Sequence, residues 1–283
     1  MKALSNLSIQ NKNTFAKVLF GYFIALFVFR FHSGTFLIFQ YQQPMKGPNV
    51  DWSFWLSLCT GFPHFIIRHY WACLLVDSAV VIFSIASFFS NKWRNLFCIA
   101  LLIFFFIQRI TLETYACSHS KSTAALFIAL LPFCFKNEKN FTLISEFSRY
   151  FLLYILIASA FYKLYNGGIL SPENFAVTLV NQHSDLATLN PQHISYSIAS
   201  ILITHPFWAG IAYIALFLTQ GIFVVGIFTR KYDTLLFIAL LIFSVMTYLV
   251  MRIYNMDITV LGLWLLYNKK HLSSTNLSSY NPL

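Results

Sequence analysis

Apolar residues run along this chain in long unbroken stretches separated by short polar breaks, covering residues 15–39, 68–89, 95–113, 122–135, 148–165, 207–228, 232–251 and 256–267. Most approach the roughly 20 residues that a helix needs to cross a ~30 Å hydrocarbon layer. Helix is the form required there, because lipid offers no partner to free backbone groups. The runs are continuous rather than alternating, which argues against a membrane barrel. The pattern predicts an all-α polytopic integral membrane protein of about eight transmembrane helices with no separate soluble domain. A cytoplasmic segment 1–14 precedes a helical membrane domain 15–268, and 269–283 is expected to be a disordered cytoplasmic tail. The fourth and eighth runs are short, so tilted, half-buried or extended helices are expected there.

Basic residues fall between alternate runs. Lys2, Lys12 and Lys17 precede or open the first; Lys92 and Arg94 follow the second; Lys136, Lys139 and Arg149 follow the fourth; Arg230 and Lys231 follow the sixth; Lys269 and Lys270 follow the eighth. The positive-inside bias makes those the cytoplasmic sides and puts both termini in the cytoplasm. The connection 166–206 holds no Lys or Arg and faces outward. It carries Pro172, Pro191 and Pro206, the polar stretch Asn181-Gln182-His183-Ser184-Asp185, and an apolar run 194–203 of a length expected for an interfacial or re-entrant element. Trp52, Trp55, Trp71 and Trp208 stand where interfacial anchors belong.

Composition agrees: 58% of residues are hydrophobic and only 10% charged, against about a quarter charged in soluble domains. A net charge of +10 would suggest nucleic acid in a soluble protein, but basic residues spread in twos and threes between apolar runs are explained by topology, and no nucleic-acid partner is expected. The five cysteines (Cys59, Cys73, Cys98, Cys117, Cys134) show neither C-x-x-C nor ligand spacing, so neither a redox pair nor a metal is indicated. The polar first fourteen residues lead into the first run without a small-residue cleavage site, so that helix is expected to be retained. Phosphate-loop, zinc-protease and nucleophile-elbow motifs are absent. His64 and His69 are five apart, pointing away from each other on a helix, and suit an interface better than a shared metal.

A charge in hydrocarbon costs about 2.5–3.5 kcal/mol on insertion scales, so each one kept there implies a partner or a task. Arg30 lies nine residues before the outer end of the first run and Asp77 nine residues after the outer start of the second. Both then sit about 13 Å deep, and an Arg30–Asp77 structural ion pair is expected. Arg109 and Glu113, four apart, share a helix face. Arg252 and Asp257 bracket the outer junction of the last two runs, and His119 and Lys163 lie towards the same side. Together they describe a polar cup opening outward.

At these residues the chain resembles a known family. Phe29-Arg30-Phe31 with Gly34, Cys117-Ser118-His119-Ser120, and the stretch Tyr154-Ile155-Leu156-Ile157-Ala158-Ser159-Ala160-Phe161-Tyr162-Lys163-Leu164 followed by Gly168 resemble the transmembrane half of vitamin K-dependent γ-carboxylases, the horizontally transferred transmembrane (HTTM) domain. The resemblance runs in order over nearly the whole chain. It implies that Lys163 is the base that deprotonates vitamin K hydroquinone, with His119 as its helper, and that the cofactor is a quinone or hydroquinone rather than a metal. Arg109, Glu113, Arg252, Asp257 and Asn166 are the candidate substrate-binding residues. Three departures are expected from the resemblance: Tyr162-Lys163 in place of a lysine pair, Phe243-Ser244 in place of a Phe-His motif, and no counterpart expected for the large external domain of animal carboxylases.

Two functions stay open. One is carboxylase-like chemistry on a small substrate or peptide. The other is a non-enzymatic membrane accessory, resembling SdpB proteins that accompany antimicrobial-peptide clusters, or a quinone-linked protein resembling DoxX in 150–252. The expected partners are the lipid bilayer and a small peptide or quinol, and the expected location is a bacterial inner membrane. No paired broken helices recur as in inverted-repeat transporters.

Overall fold

The computed structural model describes residues 9, 11–42, 55, 59–115, 123–165, 172–253 and 255–267. Twelve α-helices carry these residues: α1 Lys12–His32, α2 Phe62–Arg68, α3 Tyr70–Phe89, α4 Arg94–Tyr115, α5 Thr123–Leu130, α6 Glu138–Tyr165, α7 Pro172–Leu189, α8 Ile194–Thr204, α9 Pro206–Gly221, α10 Val224–Phe228, α11 Asp233–Met251 and α12 Met256–Gly262. Three 3-10 segments, Leu37–Gln40, Leu131–Cys134 and Leu263–Leu265, extend the chain after α1, α5 and α12. Six helical stretches are long and apolar enough to cross a membrane: Lys12–Gln40, Tyr70–Phe89, Arg94–Tyr115, Glu138–Tyr165, Pro206–Phe228 and Asp233–Met251. Their outer faces expose Leu75, Ile82, Phe89, Phe228, Ile242 and Val245. A surface that apolar suits a bilayer and would be a liability in water.

The fourth and eighth apolar runs are short because of where they sit. Helices α5 and α12 pack on each other in the middle of the bundle, also touching α6. Leu126, Ala129, Leu130, Val260 and Leu261 are all fully enclosed. Trp264 completes this core by donating its indole N–H to the Ala129 carbonyl at 3.1 Å, within an aromatic cluster of Phe15, Phe133, Phe141 and Tyr267. Beside it, the Ile9 amide donates to the Leu266 carbonyl at 2.8 Å, so the chain entering α1 lies against the end of the last helical element.

Helix α1 ends earlier than the apolar pattern predicts. Gly34 takes a left-handed φ of 68°. The Gly34 amide donates to the Phe31 carbonyl at 3.1 Å and the Thr35 amide to the Arg30 carbonyl at 3.0 Å. That double bond pattern terminates a helix at a glycine with no Cβ penalty, and it turns 37–40 across the end of the bundle although the residues remain apolar.

Helix α6 departs in the other direction, beginning at Glu138 rather than near 148. Arg149 then falls within α6, and both it and Arg94 at the start of α4, read from the sequence as markers of the cytoplasmic side, are buried structural ties. Arg94 donates through Nε to the Ser87 carbonyl and through Nη1 to Asn13 Oδ1, both at 3.0 Å, joining α3, α4 and α1. The connection 166–206 is likewise not a loop over its described part. Helices α7 and α8 form a hairpin packed on α9 and α11, with Phe175, Ala176, Leu179, Ala209 and Val250 as its apolar interior.

Candidate functional site

Among the described residues, the polar side chains expected to form the site fall into two groupings within the bundle and a tie at its rim. The first is centred on the opening turn of α12. Arg30, near the C-terminal end of α1 where helix polarity favours a cation, donates through Nη2 to both carboxylate oxygens of Asp257 at 3.0 and 3.2 Å. Asp257 sits in the first turn of α12, where the same polarity favours an anion. Arg109 from α4 is buried within electrostatic reach of Arg30, Asp257 and Glu113. Around this ionic centre the Tyr22 hydroxyl donates to the Met256 carbonyl at 3.5 Å. Ser244 and Thr259 share a hydroxyl hydrogen bond at 3.0 Å, and Asn255 Nδ2 donates to Thr247 Oγ1 at 2.6 Å. Arg30 Nη1, buried, meets no hydrogen-bond partner among the described residues.

This arrangement corrects the expected Arg30–Asp77 pair. Asp77 accepts the Ile38 amide at 2.9 Å and Gln108 Nε2 at 2.6 Å. The cause is the turn at Gly34: once α1 stops at His32, the chain 37–40 swings over α3 and delivers a backbone amide to Asp77, while Arg30 faces α12. An equal depth count assumed a straight helix to residue 39, and the helix is not there.

The second grouping surrounds Lys163. Lysines near helix ends usually extend towards headgroups, but the Lys163 amine is drawn inward and donates to Gln220 Oε1 on α9. Gln220 is only 4% exposed. Ser159, one turn earlier on α6, donates to the same oxygen at 3.4 Å. Gln220 was not singled out in the sequence. The available signal was a lone carboxamide in an otherwise apolar span, which the membrane penalises unless it has a partner. Ser244, a departure noted in the sequence, belongs to the first grouping through Thr259.

Arg252 reaches the α7–α8 hairpin. It donates through Nη1 to both carboxylate oxygens of Asp185 at 2.6 and 2.8 Å, tying α11 to the α7–α8 hairpin at an exposed position. Its backbone is left-handed, φ 54°, which a side chain rarely adopts. The Arg252 amide to Tyr248 carbonyl bond at 2.9 Å helps hold it there. Two residues before Asp185 on α7, His183 is 1% exposed and donates through Nδ1–H to the Leu179 carbonyl at 3.0 Å, leaving Nε2 without a hydrogen-bond partner among the described residues. His119 and Asn166 lie outside the described residues, as does the expected disordered tail.

Asp185 supplies a pH prediction. Its hydrogen bonds from Arg252 hold the carboxyl below its ordinary value of 3.8. A depressed acid contributes stability that is present above the unfolded value and disappears as pH falls through the lower folded value. Hydrogen exchange in α7, corrected for intrinsic rates, is therefore expected to stay flat from about pH 7 to about pH 5 and to rise only as the carboxylate is protonated below about pH 4. Loosening already at about pH 6 would mean that another group ties the hairpin down.

The fold and these groupings define a class: over the described residues, a helical bundle with an apolar exterior, buried ionic and hydrogen-bonded centres, and six helical stretches long and apolar enough to cross a membrane. Comparison with protein-family models, curated proteins and solved structures found no match. Among the described residues no cluster of three or more His, Cys, Asp or Glu is placed to hold a metal ion.

Proposed function

We propose that this protein crosses the bilayer eight times and handles a small, lipid-soluble acidic compound of the quinol type, with Lys163 as the base or hydrogen-bonding group that meets it. In this reading α5 with Leu131–Cys134 and α12 with Leu263–Leu265 are the two short internal spans. Both termini face the cytoplasm, by the positive-inside bias of the sequence and the pairing of Ile9 with Leu266. The location is a bacterial inner membrane.

The observation that carries the reading is the half-buried Lys163 amine held on the buried Gln220 carboxamide of the neighbouring apolar helix. Keeping an ammonium there is unfavourable unless it has work to do, and a neutral lysine amine is a competent base. The HTTM resemblance supplies the quinol and the role of His119 as helper. Arg109, Glu113, Arg252, Asp257 and Asn166 are in this reading the substrate-binding residues that accompany the resemblance, and the Arg30–Asp257 centre holds α1 to α12.

Mass spectrometry of small molecules retained by protein purified from native membranes tests this. The wild type is expected to retain a quinone. Lys163→Met should retain at least about ten-fold less, the loss of one charge-assisted hydrogen bond, while remaining monodisperse. Gln220→Leu should show a smaller loss, since it releases the amine without removing it. Retention of a short peptide with no quinone would favour the accessory reading. Undiminished quinone on Lys163→Met would refute the role of that residue.

A further inference from the structure

Cys98 and Cys134 are 36 positions apart, too far for any sequence spacing to mark them. The fold brings their sulfurs to 3.8 Å. Cys98 lies in the second turn of α4, fully buried, and donates its thiol to the Leu130 carbonyl at 3.4 Å. Cys134 closes the segment Leu131–Cys134 and is half-buried. Both are free thiols. We propose that Cys98 and Cys134 form a reversible oxidation site, converted to a disulfide by a small peroxide that reaches Cys134 first, with Cys98 as the resolving thiol.

The geometry favours closure. A disulfide needs sulfurs about 2.0 Å apart, so two side chains must together cover less than about 2 Å, and the elements that carry them are already packed on each other. A peroxide is small and neutral enough to enter an apolar setting. The difference in exposure sets the order of events.

In the first step the Cys134 sulfur, losing its proton, attacks one peroxide oxygen. An S–O bond forms, the O–O bond breaks, and the departing oxygen takes up the proton and leaves as water. In the second step the Cys98 sulfur attacks the Cys134 sulfenic acid. The S–S bond forms, the S–O bond breaks, and the hydroxyl leaves as a second water with the Cys98 proton. Two thiols and one hydrogen peroxide thus give one disulfide and two waters, the sulfurs giving up two electrons to the peroxide oxygens. A resolving sulfur in van der Waals contact intercepts the sulfenic acid before a second peroxide carries it to the irreversible sulfinic state.

The bond would act beyond its own site. It would fasten the end of the α5 segment to α4, and α4 carries Arg109 while α5 packs on α12, which carries Asp257. Oxidation at this end would therefore restrict the relative movement of the elements that build the ionic centre. The other described cysteines provide internal references: Cys59 is exposed, and buried Cys73 gives its thiol to the Ile66 carbonyl at 3.1 Å.

The test uses the full-length wild-type chain in membrane vesicles, treated with hydrogen peroxide, blocked with N-ethylmaleimide under denaturing conditions, digested and mapped by mass spectrometry. The expected result is a linked Cys98–Cys134 peptide lighter by two hydrogens, lost on dithiothreitol treatment, with Cys73 still recovered as its maleimide adduct. In Cys98→Ala, Cys134 should instead advance to the sulfinic acid. Three results would overturn the proposal: both thiols alkylated at a peroxide dose that oxidises Cys59, Cys134 sulfinic with Cys98 unchanged in the wild type, or Cys134 linked to any other cysteine.

Discussion

Asp257→Ala is expected to lower the unfolding free energy by about 3–5 kcal/mol, the usual consequence of removing one partner of a buried ion pair. The loss should be asymmetric. Without Asp257, the buried Arg30 and Arg109 guanidiniums, which repel each other, lose a carboxylate that attracts both. Without Arg30, Asp257 still has Arg109 within electrostatic reach, so Arg30→Met should cost clearly less. The double variant Arg30→Met, Asp257→Ala should regain part of the loss, because it leaves fewer unbalanced charges in the bundle. Denaturation by sodium dodecyl sulfate from mixed micelles, run on all three, reads this out. Equal losses from both single variants would mean that Arg109 does not share the carboxylate.

A comparable loss, about 3–5 kcal/mol, is expected for Asp233→Ala. Arg149 is 2% exposed and donates to Asp233 through Nε and Nη2, each at 2.7 Å. The same Nη2 reaches the Gly226 carbonyl at 2.7 Å. One planar fork thus joins α6, α10 and the start of α11. Gly226 belongs to the same joint: a Cβ there would come within 2.7 Å of Leu153 Cδ2 and 2.9 Å of Leu236 Cδ1, so the absent side chain allows the approach that exposes its carbonyl to Arg149. Arg149→Lys should therefore fail to restore stability, since an ammonium on a flexible stem cannot supply two parallel bonds and a third in the same plane. Lysine performing as well as arginine would show that charge alone, and not the fork, holds the joint. Arg230, paired with Glu146 close by, is exposed enough that its removal should change little.

The long apolar runs made the helical class readable without coordinates, and the starts and ends of α3, α4 and α11 fall within two residues of the expected spans. Errors arose where a backbone device or a partner far along the chain intervened. Gly34 ends α1 in the midst of apolar residues that a hydropathy window averages over. Arg149 reads as a topological marker because charge counts cannot tell a loop arginine from one that Asp233, 84 positions away, draws into the bundle. The 172–189 stretch is polar on several positions, yet Phe175, Ala176 and Leu179 give it an apolar side that a neighbouring helix completes.

Of the proposed site, Lys163 was legible as a basic residue that an apolar helix should not carry without cause, and Arg30, Arg109 and Asp257 were legible for the same reason. Their partners were not. Matching Arg30 to Asp77 by equal depth treated the helices as straight rods, whereas the choice between two carboxylates depended on the turn at Gly34. Gln220, Thr247, Asn255 and Thr259 are uncharged and blend into their surroundings in sequence, and only contact reveals what they do.

What the amino-acid order settles by itself is the solvent and the secondary structure: long apolar runs must become helices and must avoid water, because neither their side chains nor their backbone groups have an alternative. What tertiary structure decides is which rare polar groups meet. In an apolar medium each such group needs a specific partner, and that partner is chosen by where helices break, cross and pack, which depends on residues tens or hundreds of positions away.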